Sequence, residues 1–419
     1  MKQKTELKVT EIGKITEDWE ELKLSEAIEI NPKRELKKGV SAKKVPMDCL
    51  SPFNKKIQSF EVSKFSGGSK FINEDTLIAK ITPCLENGKT AFVDILRDDE
   101  VGFGSTEFIV LSGKNGKTTN DFVYYLSISP QLRKEAIKSM TGTSGRQRVQ
   151  NDLFGDIEVI IPPINEQSVI AKILSSLDSK IELNQQMNKH LEAIGQAIFK
   201  RWFVDFEFPN EKGKPYESSG GEMVDSELGK IPKGWKVGKL DGIMENFDSK
   251  RVPLSSRERD SIKGYFPYYG AASIMDYVNK YIFDGIYLLM GEDGTVIDNN
   301  EHPILQYVWG KFWVNNHAHV LRGKEDFTTE YLFVLLKNMN IKHIVTGAVQ
   351  PKINQGNLNN IQIIIPDRIT LNLFTELIVH LFNKYRVNCD EINSLIKIRD
   401  SLLPKLMSGK IRVPVEVRA

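Results

Sequence analysis

His317 and His319 sit one residue apart, a spacing that puts two side chains on one face of a strand. Such a pair can offer two imidazole nitrogens to zinc, but a tetrahedral site needs further ligands. No Cys or Asp/Glu cluster completes the set nearby, so a structural or nucleic-acid-facing role is expected and no metal. Gly88-Lys89-Thr90 and Gly116-Lys117-Thr118 resemble the end of a phosphate loop. That loop needs another glycine five positions earlier so that backbone amides can wrap the phosphates. Pro83 and Leu111 stand there instead, and polar turns are expected. Gly104-Ser105-Thr106 lacks the second glycine of a nucleophile elbow. No cofactor-binding glycine fingerprint of a methyltransferase is present, and neither Asn31-Pro-Lys-Arg34 nor Ile161-Pro-Pro-Ile164 fits an Asn/Asp-Pro-Pro-aromatic tetrad. The sequence therefore predicts no catalytic residue and no cofactor in this chain.

Basic and amide side chains are the better candidates. Arg146, Gln147, Arg148 and Gln150 form one polar loop; Gln350, Lys352 and Asn354 form another. Arg148 aligns with Lys352 and Gln150 with Asn354, each pair 204 residues apart. Arg reads guanine, and Asn or Gln reads adenine, through paired hydrogen bonds in the DNA major groove; Lys and Arg also clamp phosphates. Lys250 and Arg251, with Arg257, Arg259 and Lys263, lie about as far from Trp235 as the dense run Lys33, Arg34, Lys37, Lys38, Lys43 and Lys44 lies from Trp19. A charge run is usually a solvated face, so only Lys250 and Arg251 join the candidate DNA-contacting set.

These loops recur because the chain is written twice. Glu11-Ile-Gly-Lys-Ile-Thr-Glu-Asp-Trp19-Glu-Glu-Leu-Lys-Leu24 returns as Glu227-Leu-Gly-Lys-Ile-Pro-Lys-Gly-Trp235-Lys-Val-Gly-Lys-Leu240, with seven of fourteen positions identical. Ile157-Glu-Val-Ile-Ile-Pro162 returns as Ile361-Gln-Ile-Ile-Ile-Pro366, each a β-branched run stopped by proline. Thr141-Gly142 and Thr346-Gly347 precede these strands.

After each proline comes a long helical pattern. The first seam runs Ile170, Leu174, Leu177, Ile181, Asn184, Met187, Leu191, Ile194, Ile198; the second runs Phe374, Ile378, Leu381, Tyr385, Asn388, Ile392, Leu395, Arg399, Leu402. Steps of three and four are those of a coiled coil. The first seam carries an extra three-step around Asn184, which should overwind that helix locally. The predicted layout is a first domain over 1–162, a helix over 163–209, a linker over 210–226, a second domain over 227–366 and a helix over 367–419. Within the domains, strands such as Thr76–Ile81 and Ile286–Met290 mix with short helices near Asp121 and Glu330, which predicts an α+β fold.

The bulk properties agree with a soluble protein. The chain has 419 residues and a formal net charge of +2, so any positive surface must be local. No apolar run is long enough to span a membrane, and no signal peptide opens the chain. Three widely spaced cysteines fit a reducing cytoplasm.

Nearly the whole chain resembles the DNA-specificity subunits of type I restriction-modification systems. The carriers are Ile231-Pro-Lys-Gly-Trp235, Ile161-Pro-Pro-Ile-Asn-Glu-Gln167, Lys200-Arg-Trp-Phe-Val-Asp-Phe-Glu-Phe-Pro209 and Leu403-Pro-Lys-Leu-Met-Ser-Gly-Lys-Ile411. Inside the domains they are Leu77-Ile-Ala-Lys-Ile-Thr-Pro-Cys-Leu-Glu-Asn-Gly-Lys89, Gly102-Phe-Gly-Ser-Thr-Glu-Phe108, Gly291-Glu-Asp-Gly-Thr-Val296 and Trp313-Val-Asn-Asn-His-Ala-His319. The resemblance implies two target-recognition domains in pseudo-twofold arrangement, joined by an antiparallel helix pair. It implies that each domain reads half of a bipartite site in double-stranded DNA. It further implies two modification subunits that methylate adenine, and restriction subunits, as partners. Two other readings are a self-contained methyltransferase or endonuclease and a coiled-coil adaptor without a DNA role. One departure is Ile365-Pro-Asp-Arg-Ile-Thr370, which lacks the Glu-Gln of the first helix. If the pseudo-twofold holds, Asn184 should meet Asn388, Ile170 should pack near Leu402, and Ile198 near Phe374.

Overall fold

The computed structural model describes residues 7–10, 13–143, 145–347 and 349–414. They form two compact units: one runs to Asn184 and resumes at Glu391, the other is Gln185–Asp390. Both units have the same plan. In the first, one sheet has the order Ile28–Ile30, Phe108–Gly113, Thr76–Ala79, Thr90–Phe92, all antiparallel. A second sheet has the order Glu61–Lys64, Ser41–Val45, Gly102–Gly104, Ser69–Phe71, with one parallel pairing in its centre. The other unit repeats this as Met244–Asn246, Ala318–Gly323, Tyr287–Gly291, Leu305–Val308, and as Ile274–Val278, Lys263–Tyr269, Lys311–Val314, Phe283–Asp284. Its parallel pairing, Lys263–Tyr269 with Lys311–Val314, falls in the same place.

Local chemistry recurs as well. Helix Asn120–Ile128 is capped by Thr119, whose hydroxyl accepts from Phe122 N, and helix Thr329–Lys337 by Thr328, which accepts from Tyr331 N. Such a cap satisfies an amide that has no partner within the helix. The Trp-bearing segments open strands Glu20–Lys23 and Lys236–Lys239, which pair with the proline-terminated strands Glu158–Ile161 and Gln362–Ile365.

The long helices run Ile164–Phe199, continued by a π-turn Lys200–Val204, and Arg368–Met407. Half of each belongs to each unit, because half of each apolar stripe is buried in that unit's core. The boundaries drawn at 162/163 and 366/367 therefore separate helices from cores they share. In the first unit, Asp178 pairs with Arg399 and Lys180 with Glu391, so the two helical segments run antiparallel. Ile170, Leu174, Leu403, Leu406 and Met407 share one core, with Leu402 packed against it. In the second unit, Phe199 meets Phe374 at 5.9 Å between ring centroids and Asn188 meets Asn388, again antiparallel. Ile198 packs against the core that contains Phe374 and Ile378.

The seam departs from the apolar pattern after Asn184. Asn188, Gly195 and Phe199 are buried there, whereas Met187 is half-buried and Ile194 exposed. From Ile170 to Gly195 the observed steps alternate between four and three, and a second four-step leads to Phe199, so the extra three-step around Asn184 is corrected. Apolar content misled because the buried positions were chosen for fit. A side chain at Gly195 would meet Ile378 Cδ1 at 2.9 Å, and Asn188 Oδ1 accepts from Asn388 Nδ2 at 2.9 Å. In the second helix Phe382 is buried while Leu381, Tyr385, Leu395 and Leu402 are half-buried; in the first, Leu177 and Leu191 are half-buried and Ile181 buried. The amides of Asn184 and Asn388, expected to face each other, donate inside their own units, to Glu391 at 2.9 Å and to Asn188.

Residues 210–226, read as a linker, are folded. Asn210 Oδ1 accepts from the amides of Lys212 and Lys214, Tyr216 stacks on Phe208 at 4.5 Å, and Met223–Ser226 forms a hairpin with Gly229–Pro232. Polar composition hid a turn held by side-chain hydrogen bonds. No helix among the described residues is long and apolar enough to cross a membrane.

Candidate functional site

Each Thr-Gly opens a tight hairpin. In the first unit Thr141 pairs with Arg148, and in the second Thr346 pairs with Lys352, so the second turn is one residue shorter. Both glycines are left-handed: Gly142 has φ +127° and Gly347 φ +87°. A β-carbon on Gly347 would lie 2.3 Å from the carbonyl oxygen of Gln350, against 3.1 Å from that of Arg146 for Gly142. Gly347→Ala is therefore expected to cost about 1–3 kcal/mol locally. It should lower the unfolding midpoint more than Gly142→Ala does; equal midpoints for both variants and the parent would refute the tight turn.

The same backbone bonds stitch each hairpin to its sheet. Val149 N donates to Lys80 O and Thr82 N to Gln147 O; at the equivalent points Ile353 N donates to Glu292 O and Gly294 N to Pro351 O. Arg148 and Lys352 thus occupy one position of one fold. A short helix follows each hairpin, Asn151–Gly155 and Gln355–Asn359.

What surrounds that position differs. Arg148 Nε and Nη2 both bond the Glu107 carboxylate, at 2.9–3.1 Å, and 43% of the Arg148 side chain stays exposed. The Arg148 hydrogen bond holds the Glu107 carboxyl below its ordinary pKa despite some burial. Arg146 is fully on the surface and Gln147 half-buried. Gln150 is exposed, its amide donating to Thr141 Oγ1. In the second unit Lys352 has a single 3.3 Å contact with Glu292, and Gln350 is exposed. Asn354 Oδ1 accepts from Asn357 N, so its carbonyl end is already spent as a helix cap.

Two candidates separate. Lys250 is exposed, its ammonium 5.1 Å from the Phe247 ring centre. Arg251, grouped with it as a DNA contact, is instead only 13% exposed and held in an ionic network. It lies 2.6 Å from Glu292, 3.5 Å from Asp248 and 2.7 Å from the carbonyl of Ala318. That correction has a simple cause: the partners lie far away in sequence or hide in a local turn, so sequence shows only the charge.

His319 completes the network. Its Nδ1 is 2.6 Å from Asp248 and its Nε2 2.8 Å from the carbonyl of Ile353, while His317 is exposed and bound to Asp293. The histidines therefore diverge instead of sharing a face. Burial alone would raise the pKa of Asp248; the hydrogen bonds from His319 and Val320 N, together with Arg251, bring it below the ordinary value. Such a carboxylate contributes stability in full above the normal carboxylate range and loses it as pH falls below that range through its own lowered pKa. Asp248, Glu292 and His319 come close enough together to suggest a cation site. Arg251 already supplies the positive charge there, so the set does not fit a metal. The network also fastens the Lys352 hairpin, since His319 and Glu292 both bond Ile353.

The repeated segments at the ends of the domains are tied differently in the two copies. Trp19 Nε1 donates to Glu166 at 2.9 Å, and Trp235 Nε1 to Asp367 at 2.8 Å. Asp367 thus performs the task of the glutamate that the second helix lacks. Glu166 is nearly fully buried and is neutralised by Arg412, which also bonds Asp18. Gln167 joins the helix start to the domain, accepting from Thr119 N and donating to the carbonyls of Lys117 and Pro162.

Comparison with known proteins gives the same division. The family model described as the type I restriction modification DNA specificity domain matches residues 16–193 and again 232–393, one match per repeat. A type I restriction enzyme MjaIX specificity subunit from Methanocaldococcus jannaschii is 28% identical, over 98% of this chain and 97% of that one. A type I restriction enzyme HindI specificity subunit from Haemophilus influenzae is 24% identical, over 80% of this chain and 86% of that one. The crystal structure of a type I restriction-modification S subunit from M. genitalium shares the fold, with a TM-score of 0.53, 16% identity and coverage of 93% and 96%. A duplicated fold that presents a cation on the same hairpin in both copies, matched twice by one family model, places this chain in the type I restriction-modification DNA-specificity family.

Proposed function

We propose that this chain is the DNA-reading subunit of a type I restriction-modification complex, each repeat recognising one half of a split duplex sequence. One observation carries the reading. The backbone of the hairpin and its stitching recur, while the side chains it presents change: Arg148 with Glu107 in one copy, Lys352 with Glu292 in the other. Shared scaffold with divergent exposed chemistry is what two readers of different half-sites require, because phosphate contacts position a protein while base contacts specify the sequence. The chain acts in the cytoplasm, needs no cofactor of its own and performs no chemistry. Two modification subunits supply adenine methylation, and restriction subunits supply cleavage.

The test is methylation of duplex DNA with S-adenosylmethionine by the chain alone and by the chain with its modification subunits. The chain alone should transfer nothing; the complex should methylate one split motif. Robust methylation by the isolated chain, or methylation by the complex without sequence preference, would overturn the proposal.

A further inference from the structure

We propose that Arg148 reads a guanine in the first half-site and that Glu107 is the positioning residue that makes this reading selective. The inference rests on the DNA-reading function above and names the base and the second residue. A guanidinium carries five N–H donors in a rigid plane. Glu107 takes the edge made by Nε and Nη2 with three contacts of 2.9–3.1 Å. Nη1 and the second N–H of Nη2 lie beyond that edge, and Nη1 makes only a long 3.4 Å contact with the carbonyl of Arg146. A guanidinium fixed along one edge offers the other as a pair of donors in a set orientation. Guanine O6 and N7 are the adjacent acceptors that such a pair matches in the major groove.

The geometry is built. The Arg148 backbone is pinned by the bridge to Thr141 and by the neighbouring bonds Val149 N to Lys80 O and Thr82 N to Gln147 O. Glu107 is pinned by Lys80 N donating to its carbonyl and by the Ser105 hydroxyl accepting from its amide. The Lys80 ammonium also acts electrostatically on the Glu107 carboxylate. With Lys33, Arg34, Lys70 and Glu35 it lines a depression that reaches Phe108, next to Glu107; Arg34 there is paired with Asp75, and the remaining excess of lysines is a positive setting for a phosphate.

The second repeat lacks the device. Lys352 is a point charge on a flexible stem, with one 3.3 Å contact to a glutamate that Arg251 already holds at 2.6 Å. Lysine does not reproduce the paired donors of a fixed guanidinium. The two half-sites therefore differ in stringency at this place: the first demands a G·C pair, the second tolerates substitution.

The test uses the complex of the full chain with its modification subunits. The split motif is mapped, and competition binding then compares all four base pairs at each position of both half-sites. The parent is expected to prefer guanine at one position of the first half-site by about 10- to 100-fold. Arg148→Lys and Glu107→Gln should each collapse that preference while preferences in the second half-site persist, which also shows that the variants are folded. A first half-site without a selective G·C pair, or an Arg148→Lys complex with unchanged preferences, overturns the inference. So does a loss that is equal on specific and random DNA, because that marks a phosphate contact. Absence of any split motif in the parent would instead refute the DNA-reading function, and the inference would fall with it.

Discussion

Arg399→Ala should destabilise the first unit by about 3–5 kcal/mol, the usual cost of removing one partner from a buried ion pair. Arg399 lies on the apolar stripe of the second long helix, and its side chain is only 8% exposed, facing an Asp178 side chain that is 9% exposed. Its Nη1 is 2.9 Å from Asp178 Oδ1, and the other carboxylate oxygen accepts from the Tyr125 hydroxyl at 2.7 Å. Burial, with Asp178 beside it, pushes the Tyr125 hydroxyl far above the ordinary tyrosine range, so it stays a donor. Truncating the arginine leaves a desolvated carboxylate with one neutral partner. Replacing the pair together, as Asp178→Leu with Arg399→Met, should recover part of the loss, because apolar side chains need no counter-charge, while the buried Tyr125 hydroxyl loses its acceptor at a cost of about 1–3 kcal/mol. Denaturant unfolding of both variants beside the parent measures this. A single variant within about 0.5 kcal/mol of the parent, the range of an ordinary surface substitution, would contradict the buried pair.

Trp19→Ala should cost at least as much, about 3–5 kcal/mol for a buried tryptophan. Trp19 is fully buried in a core that joins the segment around strand Glu20–Lys23 to Leu403, Leu406 and Met407 of the second long helix. Its indole N–H is also one of the donors to Glu166, which is itself buried. Trp19→Phe keeps much of the apolar contact but removes that donor, so it should fall between parent and Ala. A Trp19→Ala protein that unfolds at the parent's denaturant midpoint would show that this residue does not hold the two ends of the chain together.

The sequence made the duplication legible because its markers answer local needs. Trp19 and Trp235 each require a carboxylate for the indole, the Thr-Gly glycines require positive φ, and the prolines end strands. Long helices were legible from apolar spacing until fit replaced hydrophobicity as the criterion, at Asn188 and Gly195. The site was legible only in part. Arg148 and Lys352 could be aligned because backbone stitching fixes their place in the repeat. Glu107 was missed because it lies 41 residues from Arg148 and looks like any acid opening a strand. Arg251 was misplaced for the same reason, since Glu292, 41 residues away, turns a surface cation into an internal one. The second helix lacks the Glu-Gln of the first, yet Asp367 meets the indole's demand for a carboxylate from a different position.

The central claim is that each repeat reads one half of the target. It is tested most directly by replacing residues 229–366 with a second copy of residues 13–162, keeping both long helices, and mapping the sequence methylated by the resulting complex. Two identical readers should select two copies of the parent's first half-site and none of its second. Retention of the parent's second half-site, or a folded complex that methylates with no trace of the first half-site, would contradict the account.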